Sequence, residues 1–153
     1  MRLSNHGLSV TVGDGWDHRI FRRTPAVGER TLPILHASTR PLPADRGDFG
    51  SGVVDLLGAG DIFISLVEFE PELAGYGLYA AQGMPRLAPS QFSPSRLQRV
   101  FGDRSAAQHF FTERGRAFCL FVVLGSHARR MAVVPRAARK VSQLNVDRGW
   151  SLM

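Results

Sequence analysis

Apolar residues recur along this chain at two spacings, and the switch between them separates a strand-rich body from a helical tail. Residues 8–12 alternate as a short strand, closed by the turn Gly13-Asp14-Gly15 and followed by Trp16. Residues 17–23 return as a second strand in which Ile20 is flanked by His18, Arg19, Arg22 and Arg23, the polarity of a sheet edge. A third strand spans 32–39, with Pro33 near its start, where a missing ladder donor is tolerated. The clearest strand is 61–69. Ile62, Ile64, Leu66 and Glu68 share one face; Phe63, Ser65, Val67 and Phe69 share the other. Both faces are mostly apolar, which places this strand in the middle of a sheet. Residues 105–112 and 116–124 form a hairpin across Glu113-Arg114-Gly115, and the run AFCLFVVL in its second strand is apolar on both faces.

From 126 to 146 the period becomes helical, with Met131, Val134, Ala138, Val141 and Leu144 forming an apolar stripe. Arg129, Arg136, Arg139 and Lys140 fall off that stripe and are expected to face water. Pro135 removes a donor, so a kink or two helical pieces are expected, the second starting at Pro135. Residues 41–52 are a loop by composition, and Ser51 is placed to cap a one- to two-turn helix through Leu57. Residues 75–94, with three prolines and three glycines, are the least regular stretch.

These elements predict a single α+β domain over residues 1–153, an antiparallel sheet with helices against its faces. The opening GLSVTV, its glycine turn and Trp16 (residues 7–16) resemble the first hairpin of PsbP-like domains. The closing order of hairpin, buried strand and amphipathic helix is similar too. That superfamily includes an extrinsic photosystem II subunit, a Ran-binding import factor and bacterial secretion chaperones. The resemblance implies an α/β/α sandwich and a non-enzymatic role binding another protein or a small ligand. It carries over no functional residue, and the chain departs from the lipoprotein members in lacking a lipidated N-terminal cysteine and from the plastid members in lacking a transit segment.

Composition narrows the classes. With 44% hydrophobic and 21% charged residues the chain is that of a globular protein. One cysteine, Cys119, excludes an internal disulfide framework. The start MRLSNHGLSV lacks the apolar core of a signal peptide, and no apolar run nears the ~18 residues of a membrane span. A cytoplasmic location without membrane insertion is therefore expected. Charge is split: residues 1–76 carry −3 and residues 77–153 carry +9. A basic face attracts anionic partners without naming them. The arginines are scattered, as in a GC-rich coding bias, and not clustered as in nucleic-acid arms.

Catalytic and cofactor chemistry finds little support. Gly50-Ser51-Gly52 lacks the third glycine of a dinucleotide loop, and no glycine–lysine pair exists to hold phosphates, so no cofactor is expected. His6, His18, His36, His109 and His127 show no metal-ligand spacing. Cys119 sits in the most apolar strand, where a thiol is core filler. Two surfaces remain. Ser126, as an N-cap, with His127, Arg129 and Arg130 marks an anion site at a helix start, with Asp103 or Glu113 as possible internal counter-charges. Tyr76, Leu78, Tyr79 and Met84 in the 75–92 segment suit a partner interface. The favoured function is recognition of a protein partner. An anion or nucleic-acid binder using Ser126, Arg129, Arg130, Arg136, Arg139 and Lys140 is the alternative, an enzyme the third, and self-association stays open.

Overall fold

Eight strands build two antiparallel sheets in the computed structural model, which describes residues 1–44, 47–49, 52–97 and 102–148. β1 (Arg2–Asn5), β2 (Leu8–Thr11) and β8 (Leu144–Val146) form a three-stranded sheet in the order β1-β2-β8. β3 (Asp17–Phe21), β4 (Ile34–Ser38), β5 (Ile62–Phe69), β6 (Ser105–Glu113) and β7 (Arg116–Leu124) form a larger sheet ordered β3-β4-β5-β7-β6. Among the described residues two α-helices accompany them, the single turn α1 (Val53–Leu56) and the twelve-residue α2 (Arg130–Val141). The expected antiparallel α+β class is what the chain adopts.

The large sheet is centred where its strands are apolar on both sides. β5 pairs β4 on one edge and β7 on the other, and every residue of β7 is buried. Ile62, Ile64 and Leu66 meet Val133, Val134, Ala137 and Val141 of α2 together with Leu8, Val10, Leu144 and Val146 of the small sheet. Phe63, Phe121 and Val123 meet Val53 and Leu57 on the opposite face. α1 is one turn long, so chain segments around Leu42 and Phe49 supply much of that second cover.

Three expectations need correction. Residues 8–11 and 17–21 are not partners: β2 pairs β1 across His6-Gly7, and β3 pairs β4. His6 and Gly7 both take left-handed φ (51° and 77°), the conformation of a two-residue hairpin turn. The glycine turn at 13–15 instead carries the chain from one sheet to the other. The tail starts later than expected, at Arg130 with Arg129 as cap, so Ser126 is not an N-cap; Ser51 lies outside the described residues. Pro135 sits inside one continuous helix. Pro135 and Met131 are both exposed, so the carbonyl deprived of a donor faces water.

The helical stripe is also rephased. Val133, Val134, Ala137, Lys140 and Val141 are buried, whereas Met131 is 71% exposed. Lys140, expected in water, is only 5% exposed. Leu144 belongs to a strand, not to the helix.

Candidate binding surface

A buried ion pair inside the large sheet also reaches the small one. Arg116 at the start of β7 donates from Nε and Nη2 to the Glu68 carboxylate at 2.9 and 2.7 Å. Its remaining N–H groups reach the carbonyls of His6, Gly7 and Asp147 at 3.3, 3.0 and 3.2 Å. All five donors of the guanidinium are thereby used. His6 and Gly7 make the β1–β2 turn and Asp147 follows β8 beside that turn, so a single side chain ties one end of the small sheet to the large one. Neither residue stood out in the sequence as a site. The available signal was Glu68, a carboxylate on the inward face of a central strand, which must find a cation to be tolerated there.

Beside this pair opens a cleft of about 840 Å³ lined by His6, Arg22, Leu32, Pro71, Glu72 and Arg148, among others. Its volume falls in the range of small-ligand sites. Arg30 bridges Glu70 and Glu72 and fixes one wall.

The segment leaving that wall is held by Thr112. The Thr112 hydroxyl accepts from Gly75 N at 2.8 Å and donates to Tyr79 O at 2.7 Å. Its backbone exchanges bonds with Ala81 O and Gly83 N, both at 2.8 Å. The Tyr79 ring packs between Phe69 and Phe110, with centroids 5.8 and 5.7 Å away. With Gly75 and Tyr79 both drawn inward, the residues between them are turned out: Tyr76 is 74% exposed and Leu78 62%, with Leu73 nearby at 41%. The four residues picked from sequence therefore divide. Tyr76 and Leu78 form the surface; Tyr79 is 7% exposed, and Met84 packs against the core. The rest of the segment covers the outer edge of β6, bridging Thr112 through Gln82 and Ala106 through Ser93.

The 126–130 junction is occupied by the protein's own carboxylate. Asp103 Oδ2 accepts from Ser126 Oγ at 2.6 Å and from the Ala128 amide at 3.2 Å. Those two bonds, with His127 and Arg130 nearby, hold the Asp103 carboxyl below its ordinary range. Arg130 folds back onto the His127 carbonyl at 3.0 Å, and Arg129 is exposed.

Cys119 is fully buried and burial pushes its thiol up to about 11. His109 bonds Gln91 Oε1 at 3.2 Å, and burial lowers its pKa. Among the described residues no group of three His, Cys, Asp or Glu side chains comes together as a metal site. No helix among them is long and apolar enough to cross a membrane.

His36 fastens the loop over the second face. Its Nδ1 accepts from Arg19 Nε at 3.0 Å, which makes Nε2 the protonated nitrogen donating to Asp48 O, also at 3.0 Å. Burial, reinforced by the Arg19 charge, pushes the imidazole down to about 4. Unfolded, it takes its proton at 6.5, so between those values the unfolded chain binds more protons and stability falls as pH falls. Lowering pH from 7 to 4.5 is expected to remove roughly 2 kcal/mol through His36 alone. His18, pushed down to about 4 chiefly by burial, adds in the same direction. Urea midpoints at the two pH values, compared between wild type and His36→Gln, isolate the His36 share as the part of the pH dependence that the variant loses.

No protein-family model matches this chain, and the comparisons with curated proteins and with solved structures return no significant match.

Proposed function

We propose that this chain is a non-catalytic binding domain that recognises a protein partner through the surface of Leu73, Tyr76 and Leu78. The observation that carries the proposal is that Tyr76 and Leu78 are exposed by construction: hydrogen bonds at Gly75 and Tyr79 fix the backbone on either side of them. A tyrosine and a leucine presented on a fixed backbone lose little entropy when a partner covers them. Exposed apolar clusters on folded domains mark interaction sites, and the neighbouring cleft gives a partner a recess to fill. The buried thiol, raised to about 11, and His36, with both ring nitrogens taken by Arg19 and the Asp48 carbonyl, leave a binding role favoured over an enzymatic one. A PsbP-like relationship and a cytoplasmic setting, both expected from sequence, belong to the same proposal.

Photo-crosslinking in the host cell tests it. A photoreactive residue at position 78 is expected to give a discrete crosslinked species. The same residue at Val27, fully exposed on another loop, is expected to give none. Tyr76→Ala should abolish the position-78 product; identical products from both positions would refute a dedicated surface.

A further inference from the structure

Three cations of the basic second half meet at a corner that the proposed partner surface does not use. The turn at 13–16 meets the C-terminal half of α2, and Arg136, Arg139, Lys140, Trp16, Asp14 and Gln143 line a pocket of about 210 Å³. Lys140 is 5% exposed, yet its ammonium makes one hydrogen bond, to Thr11 O at 2.9 Å, and lies 5.0 Å from the centre of the Trp16 ring. An ammonium has three donors, and no carboxylate among the described residues forms an ion pair with this one.

Neighbouring polar atoms are in the same condition. Gln143 Oε1, at the pocket wall, is buried without a partner, and so are both ring nitrogens of His18, which stacks on Trp16 at 6.4 Å. An oxyanion accepts and does not donate, so the atoms it would serve here are the two unused donors of Lys140 and not the Gln143 oxygen. Basic side chains in a last helical turn complement the helix dipole, which accounts for the exposed Arg139. It does not account for a buried ammonium with two unused donors. Three cations against the single carboxylate of Asp14 select a negative ligand, and arginine forks match tetrahedral oxyanions.

We propose that this pocket binds a small oxyanion, phosphate or a phosphoryl group, held by Lys140 Nζ and the guanidinium groups of Arg136 and Arg139. The site lies at the opposite end of α2 from Ser126, where Asp103 already serves the free amide. Burial lowers the pKa of Lys140, and an oxyanion in contact restores its preference for the charged form.

Trp16 reports on the site once Trp150, the second tryptophan, is replaced by phenylalanine. Inorganic phosphate titrated at constant ionic strength, with chloride as counter-titrant, is expected to change Trp16 emission saturably. Arg139→Ala, at an exposed position, should weaken the midpoint at least tenfold, and Lys140→Met should remove the response. An unsaturable response, or an unchanged midpoint in Arg139→Ala, overturns the proposal. Phenyl phosphate run in parallel separates the two sources: a tighter midpoint identifies a phosphoryl group on a larger molecule, an equal one free phosphate.

Discussion

Arg116→Met is expected to cost about 3–5 kcal/mol of folding stability, because it leaves the Glu68 carboxylate buried without its cation. The side chains are only 9% and 6% exposed, so water cannot replace the lost partner. Adding Glu68→Leu should recover part of the loss, since the unpaired charge goes with it. Recovery should stop short of wild type, because the bonds from the guanidinium to the carbonyls of His6, Gly7 and Asp147 are not restored, each worth about 1 kcal/mol. Urea unfolding of the two single variants and the double variant gives the coupling energy. Full recovery would mean that the guanidinium serves Glu68 alone and does not hold the small sheet. Gly7 belongs to the same joint: a Cβ there would stand 2.7 Å from Arg116 Nη1, at a φ of 77° that side chains avoid.

Gly125→Ala is expected to lower stability by about 3 kcal/mol, and the melting temperature by about 10 °C. A Cβ on Gly125 would overlap the Gly58 carbonyl, which is backbone and cannot rotate away. That carbonyl is fixed by the Asp61 amide at 3.0 Å, while Asp61 O accepts from Gly125 N at 3.0 Å. The Asp61 carboxylate locks the turn further, accepting from Gly58 N and Thr39 Oγ1 and pairing with Arg40. Thermal unfolding checks this. A melting temperature within a degree of wild type would show that the 58–61 turn yields freely to β7.

The sequence made the centre of the large sheet legible because its strands are apolar on both faces and the β6–β7 turn contains a glycine. The alternation of Ile62, Ile64 and Leu66 against Phe63 and Val67 assigned both faces of β5 correctly. Pairing at the N-terminus was harder to read. Two short strands beside a glycine turn suggest a hairpin, but the turning dipeptide is His6-Gly7, whose first residue is not among the usual turn formers. The tail was misread for a related reason. Leu144 fits both a helical stripe and the alternation of a three-residue strand, and so short a run cannot separate the two periods. Lys140 was assigned to water by its charge, although the stripe through Val133 and Ala137 passes through it.

The proposed surface is half legible. Aromatic and leucine content marked the 75–92 segment, but no composition tells Tyr76 from Tyr79; only the bonds from Thr112 turn one out and the other in. The anion expected at Ser126 is the protein's own Asp103 carboxylate, which takes the Ser126 hydroxyl and the Ala128 amide. The Lys140 pocket joins the 13–16 turn to residues more than a hundred positions later, and a single sequence has no local pattern for that.

That Tyr76 and Leu78 stand on the surface, free for a partner, and are not part of the fold's own core is tested most directly by urea unfolding of the double variant Tyr76→Ser, Leu78→Ser beside Tyr79→Ala. The double variant should unfold within about 0.5 kcal/mol of wild type, as surface substitutions do. Tyr79→Ala should lose about 3 kcal/mol, as a buried aromatic does. A loss above about 1.5 kcal/mol in the double variant would place those two side chains in the core and contradict the account.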